Sequence, residues 1–292
     1  MHFESKRLIR IRFGLPGVSF KPCAAPQPSS YTRPHSVYRA PSVSVRPLAE
    51  IRATWRLLRL SLHLVTGLII IRWRATRMNA TQLGVFKQRW SLRMLRIVGV
   101  RLRAETLDLP ARSLIVSNHV SWLDVFVISA MTHTHFVCKD EVRKWPYIGW
   151  FIAVTGTVFI ARGSRADAAR TGKALVERLQ RDERVAFFPE GTTTNGTDLL
   201  PFSAALFEAA SPAEACVVPM VLRYFDLQGN PSLAPAYDGD ITFMECLRSI
   251  VREPGVVAEL RALPAIPTGY GRREYAAMTY TQIAAALGLP AV

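Results

Sequence analysis

Ser113-Leu114-Ile115-Val116-Ser117-Asn118-His119-Val120-Ser121-Trp122-Leu123-Asp124 leads directly into Val125-Phe126-Val127-Ile128-Ser129-Ala130-Met131. The first four residues are short, apolar and partly β-branched, as in a buried strand. The run after Asp124 stays apolar, and Ser121-x-x-Asp124 has the form of a helix capping box. A strand, a tight connection and a helix are therefore predicted, with His119 in the connection and Asp124 in the first helical turn. On one continuous helix, residues five apart lie well round the axis from each other. In a bent connection they can meet, and an imidazole beside a carboxylate is a base with its tautomer fixed. The plainer reading is a helix cap next to an ordinary loop histidine.

Outward from this stretch the chain alternates as an α/β protein does. Strands are predicted at His135–Lys139, Thr157–Ala161, Val185–Phe188, Cys216–Arg223 and Val256–Ile266. Helices are predicted at Tyr147–Val154, Arg165–Gln180, Pro201–Ala210 and Arg272–Leu287, and Val251-Arg252-Glu253-Pro254-Gly255 reads as a turn. His119, Arg162 and Glu190 each follow a predicted strand. Ligands of open α/β sheets bind outside the carboxyl ends of strands. If these strands are parallel, the three residues gather at one edge of the sheet.

The 292 residues suit one sizeable core with appendages. Apolar residues make up 49% of the chain and the mean hydropathy is +0.14, high for a soluble protein. Charge is unevenly spread. Residues 1–103 hold 20 Lys and Arg against 2 Asp and Glu, while the remainder is nearly neutral. A basic front on such a body points to an acidic partner, a membrane or a nucleic acid. The four cysteines are scattered without a C-x-x-C pair, which disfavours a zinc site or a disulfide framework. His133-Thr134-His135 lacks the further ligands of a metal centre and reads as a polar loop entering a strand. No G-x-S-x-G elbow, G-x-G-x-x-G or Walker A loop is present.

Residues 1–48 are rich in Pro, Arg and Ser and are expected to be a disordered arm without a signal-peptide core. Residues 49–103 read as two basic amphipathic helices. In the first, Arg52, Arg56, Arg59 and His63 share one face and leucines occupy most of the rest. Its charge-free run, Leu60 to Ile71, is too short for an ordinary membrane span, which takes about 20 residues. In the second, Leu83, Phe86, Trp90, Met94 and Ile97 form an apolar arc beside Arg89, Arg93 and Arg96. Such a hairpin suits the interface of an anionic bilayer on its cytoplasmic face, peripheral or monotopic. The alternatives are a helical pair packed on the core and, with no recognisable binding fold to support it, a nucleic-acid surface. The domain proper is then residues 104–292.

Asn118-His119-x-x-x-x-Asp124 and Phe188-Pro189-Glu190-Gly191-Thr192 resemble the glycerolipid acyltransferase family, whose founding members acylate lysophosphatidic acid. Gly156-Thr157-Val158-Phe159-Ile160-Ala161-Arg162 is similar to that family's second block, and Val217-Val218-Pro219-Met220 to its last. The resemblance implies a mixed sheet flanked by helices, preceded here by the amphipathic hairpin. It implies transfer of a fatty acyl group from acyl-CoA or acyl-carrier protein directly to the hydroxyl of a lysolipid, without a metal or prosthetic group. His119 would be the general base and Asp124 its orienting partner. The oxyanion would be met by backbone N–H groups, near Gly191 or at the helix start. Asn118, Lys139, Arg162, Glu190, Gly191, Thr192 and Thr193 are the residues this resemblance brings to the acceptor.

One departure bears on the acceptor. The founding members read Glu-Gly-Thr-Arg-Ser, whereas this chain reads Glu190-Gly191-Thr192-Thr193-Thr194. Thr193 removes a cation for a phosphate monoester, so a lysophospholipid or lyso-ornithine lipid is expected to be preferred to lysophosphatidic acid. A non-catalytic lipid-binding protein of the same fold is the alternative function.

Overall fold

The computed structural model describes residues 47–74, 77–104, 107–139, 156–160 and 165–290. The arm up to residue 46, the predicted helix Tyr147–Val154 and Arg162 lie outside these residues, as does the side chain of Lys139.

In chain order the elements are α1 (Pro47–Arg74), α2 (Ala80–Val98), β1 (Val100–Ala104), β2 (Ser113–Ser117), α3 (Asp124–Met131), β3 (His135–Lys139) and β4 (Val158–Ile160). They continue with α4 (Arg165–Leu179), β5 (Val185–Phe187), a 3-10 turn (Leu206–Ala209), β6 (Cys216–Phe225), α5 (Phe243–Arg252), β7 (Val256–Ala262) and α6 (Arg272–Leu287). The seven strands form one sheet in the order β1-β7-β6-β2-β5-β3-β4. From β6 to β4 every pairing is parallel, while β7 runs antiparallel to β6 and carries β1 parallel to itself. The fold is thus a mixed α/β sheet.

β2 lies at the centre because it is apolar on both faces, as a strand covered on both sides must be. All five of its residues are buried. Ile115 faces the core of α2, α3 and α5, around Met94, Leu95, Val127, Ile128 and Ile250. Leu114 and Val116 face the core of α4, α6 and the 3-10 turn, around Leu175, Leu179, Phe207 and Tyr275. Since β2, β5 and β4 are parallel, the residues that follow them emerge at one edge. That arrangement brings His119 and Glu190 together.

Several predicted boundaries change. Pro201–Ala210 is not a helix, because only Leu206–Ala209 turns, as a single 3-10 element. The segment before it has no regular structure, and the Ser203 N–H donates to the Pro189 carbonyl at 3.0 Å. β7 stops at Ala262, four residues short of the prediction, although Ile266 still bridges to Val217. α5 lies where no helix was predicted and takes in Val251 and Arg252, so the turn begins at Glu253. β1 was likewise unpredicted.

Three members of the basic face of α1, Arg52, Arg56 and His63, are turned toward the protein, while Arg59 is exposed. Arg56 donates to the carbonyls of Val251 (3.0 Å), Glu253 (2.7 Å) and Pro254 (3.2 Å), at and just beyond the end of α5. Arg52 donates to the Arg252 carbonyl at 2.8 Å, and Glu50 pairs with Arg252 at 2.8 Å. Cations are well placed at a helix C-terminus, where carbonyls lack helical partners. His63 is buried, its Nε2 is 3.1 Å from the Trp90 carbonyl oxygen, and its ring stacks on Trp90. The apolar face looks outward: Trp55, Leu62, Ile69 and Trp73 are 58%, 64%, 53% and 73% exposed. By length and composition the whole helix is sufficient to cross a bilayer, although its charge-free run alone is not.

α2 follows its predicted pattern, with Trp90, Met94 and Ile97 buried and Arg89, Arg93 and Arg96 exposed. It ends at Gly99, at φ 93°, where a Cβ would collide with the Arg56 guanidinium. Glycine therefore serves two needs there, the left-handed cap and the close approach of α1.

Candidate active site

The connection between β2 and α3 bends as the capping pattern requires, and the bend brings His119 to Asp124. His119 Nδ1 lies 2.7 Å from Asp124 Oδ2. The same oxygen accepts the N–H groups of Val120 (2.8 Å) and Ser121 (3.0 Å). Only the carboxylate half of the predicted capping box forms. The Asp124 N–H donates to the Ser121 carbonyl, and the Ser121 hydroxyl accepts from Leu123 N–H. Asp124 is fully buried and His119 is partly open, its side chain 19% exposed. A carboxylate fixed at Nδ1 places the proton there and leaves Nε2 as the basic nitrogen. The ring stacks on Phe188, with centroids 3.9 Å apart and planes 8° apart.

Asp124 Oδ1 accepts the Tyr224 hydroxyl at 2.7 Å. Tyr224 sits on β6, buried, and burial together with the adjacent Asp124 carboxylate holds its phenol well above its ordinary range. Sequence reasoning missed this residue, for it is one apolar-looking position in a ten-residue strand. Its alternation with Leu222 was the available signal.

Glu190 joins the two loops. Its Oε1 accepts the His119 N–H at 2.7 Å and its Oε2 accepts the Leu200 N–H at 3.0 Å. Burial pushes its carboxyl up to about 7, against the pull of those donors. Gly191 follows at φ 70°, with open space where a Cβ would stand. Only backbone conformation requires glycine there. Its N–H closes a turn onto the Phe188 carbonyl at 3.2 Å. Among the described residues, the N–H groups of Thr192 and Thr193 have no protein acceptor, which leaves them free for an oxyanion or head group.

The Thr193 hydroxyl donates to the Tyr237 carbonyl. The Thr194 N–H donates to the His119 carbonyl at 2.8 Å, so the threonine loop is strapped to the His119 loop. Thr192 is exposed. Asn118 is buried, and both ends of its amide are engaged. Nδ2 donates to the Leu222 carbonyl at 3.0 Å and Oδ1 accepts the Leu222 N–H at 2.9 Å. It extends the β2–β6 ladder by one side-chain rung. The structure therefore brings His119, Asp124, Glu190, Gly191 and Thr193 into one cluster. Asn118 and Glu190 have their polar atoms in backbone hydrogen bonds rather than directed to the site opening. The Lys139 side chain and Arg162 lie outside the described residues.

The chemistry available is that of an oriented imidazole base at a sheet edge, flanked by unpartnered N–H groups. Comparison with known proteins agrees with it. The acyltransferase family matches residues 100–223. A lyso-ornithine lipid O-acyltransferase of Pseudomonas aeruginosa is 31% identical over 248 residues, covering 82% of this chain and 95% of that protein. The chain belongs to the acyltransferase family.

Within the family, a 1-acyl-sn-glycerol-3-phosphate acyltransferase of Neisseria gonorrhoeae is 42% identical over 154 residues, 53% of this chain. The chain spans only 60% of the length of that relative. The crystal structure of the 1-acyl-sn-glycerophosphate (LPA) acyltransferase of Thermotoga maritima superposes with a TM-score of 0.58 at 17% identity. It covers 82% of this chain and 96% of its own, which shows the acyltransferase fold. Tyr224 and the whole of α5 lie beyond the family match.

Proposed function

We propose that this acyltransferase-family protein moves a fatty acyl group from the thioester of acyl-CoA or acyl-carrier protein to the free hydroxyl of a lysolipid. The observation that carries this reading is the 2.7 Å contact of His119 Nδ1 with a buried carboxylate, which leaves Nε2 basic and accessible. An alcohol is a poor nucleophile at neutral pH, and a positioned base raises its rate roughly 10²–10⁴-fold. Nε2 takes the hydroxyl proton as the alcohol oxygen attacks the thioester carbonyl, and Asp124 steadies the imidazolium. Collapse of the tetrahedral intermediate expels the thiolate, which receives the proton back from Nε2. The N–H groups of Thr192 and Thr193 are the candidates to stabilise the oxyanion. The intact His119–Asp124 contact favours this reading over a non-catalytic lipid-binding role.

The acceptor follows from the loop. Thr193 brings no cation, so lysophosphatidic acid forgoes a charge-assisted hydrogen bond worth about 1.5–3 kcal/mol. The expected result is a higher kcat/KM for lyso-ornithine lipid or a zwitterionic lysophospholipid than for lysophosphatidic acid. Purified protein, assayed with labelled acyl-CoA and acyl-carrier protein against those acceptors, checks it. A tenfold preference for lysophosphatidic acid would end the head-group argument, and no transfer to any acceptor would end the functional one.

The partner surface is an anionic bilayer, reached through the outward face of α1 and the exposed arginines of α2. α1 is held along the protein by Arg52, Arg56 and His63, which supports a monotopic placement rather than a span. Replacing Trp55, Leu62 and Ile69 together by serine should lower partition into acidic-lipid vesicles by 100-fold or more. Each side chain returned to water costs about 1.5–3 kcal/mol of membrane affinity. High salt alone should weaken attachment without complete release, since it screens only the arginines. Flotation of the wild-type protein and the triple variant at low and high salt measures both effects. Quantitative release by salt would contradict insertion of the apolar face.

A further inference from the structure

Asp124 holds four hydrogen bonds, and their origins differ. Three come from the catalytic loop itself, from His119 Nδ1 and the N–H groups of Val120 and Ser121, all to Oδ2. The fourth comes from β6, where Tyr224 gives its hydroxyl to Oδ1 at 2.7 Å. Asp124 is wholly buried, and Tyr224 is 5% exposed. A carboxylate in such surroundings depends on donors, because water does not reach it.

We propose that Tyr224 is a positioning residue that sets the proton affinity of His119 by withdrawing charge from Asp124. The catalytic part of this inference rests on the acyl-transfer reading; the electrostatic part rests on the geometry alone. A donor at Oδ1 draws negative charge away from Oδ2, the oxygen that faces the imidazole. With that donor present, Asp124 orients the ring yet stabilises the imidazolium less. The donor thus favours the neutral imidazole relative to a protein that lacks it, and the neutral ring is the form a base must hold before it accepts a proton. Without the donor, the charge concentrates on the His119 side and the imidazolium gains.

The other titratable groups around the pair do not duplicate this role. Glu190, after β5, accepts the His119 backbone N–H and the Leu200 N–H rather than a ring proton. Cys246, on α5, has its Sγ 3.5 Å from the Pro235 carbonyl oxygen. Phe188 covers the ring face and carries no charge. Among the described residues, Tyr224 is thus the side chain that hydrogen-bonds to Asp124 from outside its own loop. It lies one residue past the family match, which explains why motif reasoning does not find it.

The test is Tyr224→Phe, which removes the hydroxyl and keeps the ring. The His119 titration is followed by NMR in protein labelled at histidine and assigned by loss of the signal in His119→Asn. The midpoint should rise by about half to one pH unit, the scale expected when a hydrogen bond to one ionisation state is lost. The acid limb of the pH–rate profile should move with it, and kcat on that limb should fall about 3- to 10-fold with KM for the acceptor unchanged. In the Asp124→Asn background, Tyr224→Phe should leave the His119 midpoint where it was. Site-specific 3-fluorotyrosine at position 224, a stronger donor, should move the midpoint down and serves if Tyr224→Phe fails to fold. An unmoved His119 midpoint in folded Tyr224→Phe or in the fluorotyrosine protein would overturn the proposal, as would a shift that persists without the Asp124 carboxylate. The titration decides this even if the wild-type protein transfers no acyl group, an outcome that would instead remove the proposed function.

Discussion

His119→Ala should abolish acyl transfer, lowering kcat/KM about 10²–10⁴-fold, the range carried by a positioned general base. The same variant should remain folded. Its ring is partly solvent-accessible, and Asp124 retains the Val120 and Ser121 N–H groups and the Tyr224 hydroxyl after the imidazole is gone. The lost contact is chiefly the stack on Phe188. A melting temperature within a few degrees of wild type is therefore expected, corresponding to about 1 kcal/mol or less. Activity and thermal unfolding measured on one preparation separate the two effects. A folded variant retaining a tenth of wild-type turnover would remove His119 from the chemistry.

Asn118→Ala should have the opposite character, with stability lost first. The amide pairs with both the N–H and the carbonyl of Leu222, a residue 1% exposed. Alanine leaves that donor and acceptor buried without partners, at about 1–3 kcal/mol each. The combined loss, about 2–6 kcal/mol, is a large share of the 5–15 kcal/mol typical of a domain. A fall in melting temperature of roughly 5–15 °C is expected. Asn118→Asp keeps the shape but sets an oxygen against the Leu222 carbonyl, and should be no better. If Asn118→Ala melts like the wild type but shows a raised KM, the amide serves the acceptor rather than the sheet.

Asn118 also illustrates what could be read beforehand. The sequence shows that Asn118, His119 and Asp124 follow a buried strand, and the resemblance assigns them to the site. It does not show that the amide spans 104 positions to Leu222, because nothing local distinguishes a side chain that binds a ligand from one that completes a ladder. Glu190 is similar: its motif is plain, but the engagement of its oxygens by His119 and Leu200 is a tertiary fact.

The missed elements have more local causes. β1 reads Val100-Arg101-Leu102-Arg103-Ala104, and its arginines continue the basic pattern of α2, so the change of period from helix to strand is hidden. α5 did carry a signal. Thr242 and Glu245 form a complete capping box, followed by buried Cys246, Leu247, Ile250 and Val251 at helical spacing. Pro201–Ala210 failed for the reverse reason, since small apolar residues after a proline suggested a helix without any repeating apolar arc. In α1 the periodicity was legible, but the partner of its basic face was not. Which face packs inward depends on the carbonyls that end α5, nearly 200 residues away in the chain.

The Arg56 clamp joins α1 to the last carbonyls of α5. α5 is a ten-residue rod, about 15 Å long at the rise of an α-helix. At its other end, the Phe243 ring rests against Trp122, centroids 5.0 Å apart, three residues beyond His119. The lever from α1 to the His119 loop is therefore short and stiff. A force applied to the outward face of α1 is delivered at Trp122 with little slack between, so that face is in mechanical series with the loop that carries His119.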